Sequence, residues 1–288
     1  ADQINQYQKS YPGPLGKMYA VRLALAREDV SKAEQILTEV LETNPGYADA
    51  LDVRAKIFMD TWRLDQAQKE RERLQSISPR SFGNLGHIRL AKLYCELGRP
   101  ADAANEARNV LSAINDRPDW YEPARINLIL PLSSSLPDAD MVELLIWAGN
   151  KQTTYWGWPF ERGRLLLRQK KYNDACTAMA DAWKLAKDGP MSLRLSVLDQ
   201  YQQALFQAKR YDEIVRIADS VLAEADSPIP GVLAWRAAAL YAKGNHQEAA
   251  NTYFKSLELA KDQPLVIWQI THEGFLHAIS ARELIPLL

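Results

Sequence analysis

The chain has 288 residues, 47% of them apolar and 25% charged, with a formal net charge of −1. That balance excludes the strong basic excess by which a general nucleic-acid binder neutralises phosphates, and no apolar run reaches the roughly 18 residues that insertion across a membrane requires. The two cysteines, Cys95 and Cys176, stand far apart and outside any CxxC spacing, so they supply neither a zinc site nor a disulfide framework and leave the compartment open between cytoplasm and periplasm.

Glycine and proline are sparse, strand-like alternation is nearly absent, and the apolar residues recur at helical spacing, so the chain reads as all-α. Residues 1–11, "ADQINQYQKSY", run into Pro12-Gly13 just as "SKAEQILTEVLETNP" runs into Pro45-Gly46, which predicts an orphan second helix or cap over 1–13. From residue 14 to 263 a unit then recurs. The segments "DVSKAEQIL", "RLDQAQKER", "GRPADAANEA", "SLPDADMVEL", "KKYNDACTAM", "KRYDEIVRI" and "GNHQEAANTY" each follow a turn and open a helix. They place Ala33, Ala67, Ala103, Ala139, Ala175, Ile214 and Ala249 in one slot, at intervals of 34, 36, 36, 36, 39 and 35 residues. A small residue there lets two antiparallel helices approach, and Pro45 and Pro79, twelve residues after the first two, stop the helix that follows. Two units depart from the pattern: residues 120–151, with Pro131 and a Ser133-Ser134-Ser135 turn, and the interval stretched by "KDGPMS". Residues 264–288 read as one more helix and the start of a truncated eighth repeat. The unpartnered helix at each end serves as a cap or marks a piece of a longer solenoid; the first residue, alanine, fits a processed or excised chain.

The period near 34, with Leu90, Ala91, Tyr94, Gly98 and Ala103 in "IRLAKLYCELGRPADAANEA" and Gly244, Ala249 and Tyr253 in "LYAKGNHQEAANTYFKSLELA", resembles the tetratricopeptide repeat family over nearly the whole chain. The resemblance implies a right-handed superhelical solenoid of about seven antiparallel helix pairs. It also implies a concave face, lined by the first helix of each pair, that takes extended peptides.

Motifs for chemistry fail. His272 and His277 are five residues apart rather than the four that put two zinc ligands on one helical face. Gly16-Lys17 lacks the upstream glycine and following hydroxyl of a phosphate loop, since Tyr11 and Met18 stand there. No nucleophile elbow occurs, so the reading is of a non-enzyme without metal or cofactor.

What remains is surface recognition. On the family's register the groove position of successive first helices holds Arg22, Lys56, Lys92, Leu128, Arg164, Gln203 and Ala238. Four of the first five are cationic, a ladder suited to an acidic protein segment or a carboxylate. The alternative use of such lysines is an ion pair within their own helix, Lys56 with Asp60 and Lys92 with Glu96. Arg164 differs, because its neighbour four residues on is Arg168. The slots of the family's carboxylate clamp hold Met18, Arg22, Val53, Leu85 and Arg89, of which only Arg89 matches, so chaperone-tail recognition of that kind is not expected.

The stretch "TTYWGWPFERGRLLLRQKKYNDA" divides by phase. Gly163, Leu166, Tyr172 and Ala175 belong to the repeat, Trp158 to the core, and Phe160, Arg164, Leu167 and Arg168 to the groove. With Asp199, Gln203 and Phe206 of the next unit and Tyr241 of the seventh they form the expected contact zone. Trp62, Trp120, Trp147, Trp183, Trp235 and Trp268 are expected in packing roles, and Trp156 is open. The function expected is a non-catalytic scaffold or adaptor for protein partners. Two others stay open: a periplasmic arm of a polysaccharide-export or secretion apparatus that contacts glycan, and self-association through the array ends.

Overall fold

The computed structural model describes residues 10–263. The helices expected over 1–9 and 264–288 lie outside the described residues, as do His272, Glu273, His277 and Trp268. Among the described residues the chain is helical without strands. It divides into two compact units, one ending at Lys151 and one beginning at Gln152.

The first unit contains α1 (Pro14–Ala26), α2 (Val30–Thr43), α3 (Ala48–Asp60), α4 (Leu64–Ile77), α5 (Pro79–Glu96), α6 (Pro100–Ala113), a composite α7 over 118–132 and α8 (Asp138–Lys151). The second contains α9 (Gly157–Arg168), α10 (Tyr172–Leu185), α11 (Met191–Gln207), α12 (Tyr211–Glu224), α13 (Pro230–Ala242) and α14 (His246–Ala260). Inside six of the seven pairs among the described residues a three-residue turn makes the two helices antiparallel neighbours.

Those turns share one device. Two residues past the ends of α1, α3, α5, α9, α11 and α13 stand Glu28, Trp62, Gly98, Lys170, Lys209 and Gly244, all with φ between 58° and 89°. The next residue donates its N–H to the carbonyl five back, as Arg63 to Phe58 at 2.8 Å, Arg99 to Tyr94 at 2.8 Å and Asn245 to Leu240 at 2.9 Å. This is the helix stop that a left-handed residue makes possible, yet only Gly98 and Gly244 are the residue that adopts it without steric cost.

The residue four places into the second helix of each pair is fully buried: Ala33, Ala67, Ala103, Ala175, Ile214 and Ala249. The fourth pair corrects the sequence register. Ala139 is exposed and Met141 occupies the slot, buried to 0%. The turn there, residues 133–137, is two residues longer than the others, which moves α8 along by the same amount. The pairs with alanine in the slot, α1/α2, α3/α4, α5/α6, α9/α10 and α13/α14, pack closely, whereas α8 packs on α6 and α11 sits more closely on α10 than on α12. Within α7, Pro131 cannot donate to the i−4 carbonyl; residues 125–129 widen into a π turn, and Leu130 N–H reaches Arg125 O instead.

Candidate functional site

The first three residues of the predicted ladder each lie six positions before a left-handed turn residue: Arg22 before Glu28, Lys56 before Trp62, Lys92 before Gly98. The turns therefore place all three at one equivalent point of α1, α3 and α5. All three are exposed. Arg22 lies over the Tyr19 ring at 5.6 Å, and no ion pair engages any of the three among the described residues. Lys56 does not pair with Asp60, nor Lys92 with Glu96. Four other cations of this unit are spent on carboxylates: Arg54 on Glu70 at 2.6 Å, Arg63 on Glu34, and Arg71 and Arg89 on Asp52. Arg89, the one match to the family's clamp, is thus turned onto Asp52. The fourth position, Leu128, is fully buried in the π turn, so the ladder has three rungs in this unit.

In the second unit the sequence-selected residues fall in two patches. On α9, Phe160 is 8% exposed with its ring edge-on to Trp156 at 5.4 Å. Arg164 keeps half its side chain exposed, lies 6.0 Å above the Phe160 ring and pairs with the buried Glu161 at 3.2 Å. That pair offsets the repulsion from Arg168, which is exposed in the last helical turn where a cation suits the dipole. Leu167 is half-buried.

The second patch gathers around Trp235 of α13. Its indole Nε1 donates to Asp199 Oδ1 at 2.7 Å, and its ring lies 6.0 Å from that of Phe206. Gln203 is half-buried beside them in sequence, and Tyr241 packs with Phe206 on the Ala234, Ala237 and Ala238 core. Sequence reasoning passed over Gln202, which is buried to 1% and lines a cleft between α11 and α13.

The tryptophans divide. Trp158 is fully buried and donates to Gln152 Oε1 at 2.8 Å, and Trp235 is 5% exposed. Trp62 and Trp120 correct the expectation of packing: they are 74% and 45% exposed. Trp156 is half-buried between Tyr155 and Phe160. Burial pushes the Cys176 thiol up from its ordinary range, as it does that of Cys95, so neither is an activated thiolate. Among the described residues no cluster of three metal-ligating side chains occurs, and no helix is long and apolar enough to cross a membrane.

No family model and no curated protein matches the chain. Solved structures similar to it include YrrB, described as a TPR protein with an unusual peptide-binding site (11% identity over 67% of this chain and 96% of that one, TM-score 0.44). A tetratricopeptide repeat protein from Parabacteroides merdae is similar at 13% identity over 90% and 97%, with a TM-score of 0.43. The Naa15/Naa10 complex bound to HypK-THB is similar at 15% identity over 99% of this chain and 42% of that one, with a TM-score of 0.49. These likenesses are to helical repeat proteins. In this chain a repeating left-handed turn and a buried slot define each regular hairpin; what the hairpins bind is a question for their surface.

Proposed function

We propose that the chain is a non-catalytic scaffold whose first-helix face holds an extended, acidic segment of a protein partner. The observation that supports this reading is the set of three exposed cations, Arg22, Lys56 and Lys92, repeated at one structural position and without ion pairs among the described residues. Their intervals of 34 and 36 residues set one rung per hairpin. A carboxylate at each rung gains a charge-assisted hydrogen bond. Exposed pairs are worth only about 0.2–1 kcal/mol each, so useful affinity needs several rungs together and falls with salt. Within the second unit, taken by itself, Arg164 and Arg168, beside Phe160 and Leu167, and Asp199, Gln203, Phe206 and Tyr241 form a separate contact zone of this proposal. Residues 14–263 form its repeat region, with 1–13 and 264–288 flanking.

The test is fluorescence anisotropy with labelled acidic, neutral and basic peptides, on the chain and on a variant carrying Arg22→Glu, Lys56→Glu and Lys92→Glu. The acidic set binds with a steep salt dependence, and the triple variant loses about tenfold or more in affinity with its circular dichroism unchanged. Equal affinity of both proteins for the acidic set overturns the proposal.

A further inference from the structure

The irregular interval of the repeat builds a cleft. α11 has 17 residues and α13 has 13, and both end two residues before their left-handed turn residue, Lys209 and Gly244. α11 therefore starts about one turn earlier. Its early residues Ser192, Leu195 and Ser196 line a cleft with the connection Ser227-Pro228-Ile229-Pro230, and Leu195 also packs on the Leu198, Ala218, Val221 and Val232 cluster. Two prolines fix the φ angles of that connection and remove their own N–H groups, and the fully buried Ser256 holds it by donating to Pro230 O at 2.8 Å. The half-open cleft has a volume of about 720 Å³, within the range of preformed ligand pockets.

Its chemistry is selective. Leu195, Ile229, Val232 and Trp235 supply apolar wall. Gln202 lines the cleft at 1% exposure, and its amide nitrogen Nε2 has no hydrogen-bond partner among the described residues. A buried donor left unpaired is destabilising; Nε2 is itself shielded, so an acceptor in the cleft meets it once the Gln202 side chain turns outward. Asp199 lies three residues earlier on the same helical face. It accepts from Trp235 Nε1 at 2.7 Å, and a carboxylate has room for further donors. Among the described residues no lysine or arginine lines the cleft, so an anion meets Asp199 without compensation from them.

We infer that this cleft binds one main-chain amide and the adjoining apolar side chain of an extended partner segment that is neutral or basic at that point. The partner's carbonyl accepts from Gln202 Nε2, its N–H donates to Asp199, and its side chain lies on Leu195, Ile229 and Val232. The inference rests on the scaffold reading and deepens it: the cationic rungs select acidic residues, and the cleft selects an apolar one.

Three small probes test it on the full chain: N-acetyl-leucinamide, leucinamide with its protonated amine, and N-acetyl-leucine with its carboxylate. Methyl NMR of Leu195 and Val232 reports binding. The two amides give saturable shifts, and the carboxylate binds several-fold more weakly. Gln202→Met keeps the side-chain length and removes the amide. It weakens both amides about fivefold, the size of one neutral hydrogen bond, while raising the melting temperature; a merely structural glutamine would lower it. The inference is overturned if neither amide shifts the cleft methyls, if Gln202→Met binds as well as the parent, or if the carboxylate binds best. Acidic peptides that bind the rungs while the amide probes stay silent sink the cleft alone. Amide probes that bind while acidic peptides do not sink the rungs and leave the cleft standing.

Discussion

Arg89 Nη1 stands 2.5 Å from both carboxylate oxygens of Asp52, joining the first helices of the second and third hairpins. The same carboxylate bonds to Arg71 of α4, whose side chain is 1% exposed. Burial alone pushes the Asp52 carboxyl up, but the hydrogen bonds and charges of Arg89 and Arg71 outweigh it and hold the group below 3.8. A depressed carboxyl contributes stability that is present above the unfolded value and lost as pH falls through the folded one. Asp52→Asn leaves the Arg71 charge buried without a counterion, which costs about 3–5 kcal/mol at neutral pH. Urea unfolding of both proteins at neutral pH and well below pH 3.8 checks this. The gap is large in the first condition and closes in the second, and equal stability at neutral pH contradicts the arrangement.

Trp62 tests the turn device. It adopts φ 58° where the equivalent positions in the third and seventh hairpins hold glycine, and it is 74% exposed, so little packing compensates. A left-handed conformation costs a residue with a Cβ about 1–2 kcal/mol, and the greater unfolded-state entropy of glycine offsets part of the gain. Trp62→Gly therefore stabilises by about 0.5–1 kcal/mol, while Gly98→Ala, at φ 67°, destabilises by about 1 kcal/mol. Thermal melts of the two variants move in opposite directions. A lower melting temperature for Trp62→Gly means that the indole has a packing role its exposure hides.

The fourth hairpin supplies a pair of substitutions with opposite expectations. Met141 is fully buried and Ala139 exposed. Met141→Ala costs about 2–5 kcal/mol through the cavity it leaves, while Ala139→Lys stays within about 0.5 kcal/mol. Denaturant midpoints settle the register, and a large loss at Ala139 restores the uniform 36-residue interval.

That contrast also shows what spacing reveals. Six of the seven slot residues and the turns before them were legible because both depend on neighbours within one hairpin. The fourth was not. Ala139 is the right residue type at the right interval, and only the two extra residues of the turn, with Leu136 folded inward, pass the slot to Met141. Arg164 illustrates a local miss: its repulsive neighbour Arg168 stands four residues on, but Glu161, three residues back and buried, is the partner. Arg89 shows the long-range kind. Its slot suited a ligand carboxylate, and a carboxylate 37 residues away in sequence holds it instead. The cleft beside Gln202 was visible only as the stretched interval at "KDGPMS", since its walls depend on α11 outrunning α13.

Gly163 marks a close approach of α9 and α10 that a single substitution can probe. A Cβ built there meets Met179 Cε at 2.8 Å and Cγ at 2.9 Å, and Met179 is fully buried on α10. Methionine is flexible, but its surroundings, Ala175, Cys176 and Ala182, are buried as well, so it has little room to retreat. Gly163→Ala gains helix propensity of about 1 kcal/mol and loses about 1–3 kcal/mol to overpacking, a net destabilisation. In a Met179→Ala background the clash is gone, and the same substitution becomes neutral or stabilising. A double-mutant cycle followed by urea unfolding measures the coupling directly. Additive effects of the two substitutions mean that α9 and α10 do not meet at this pair.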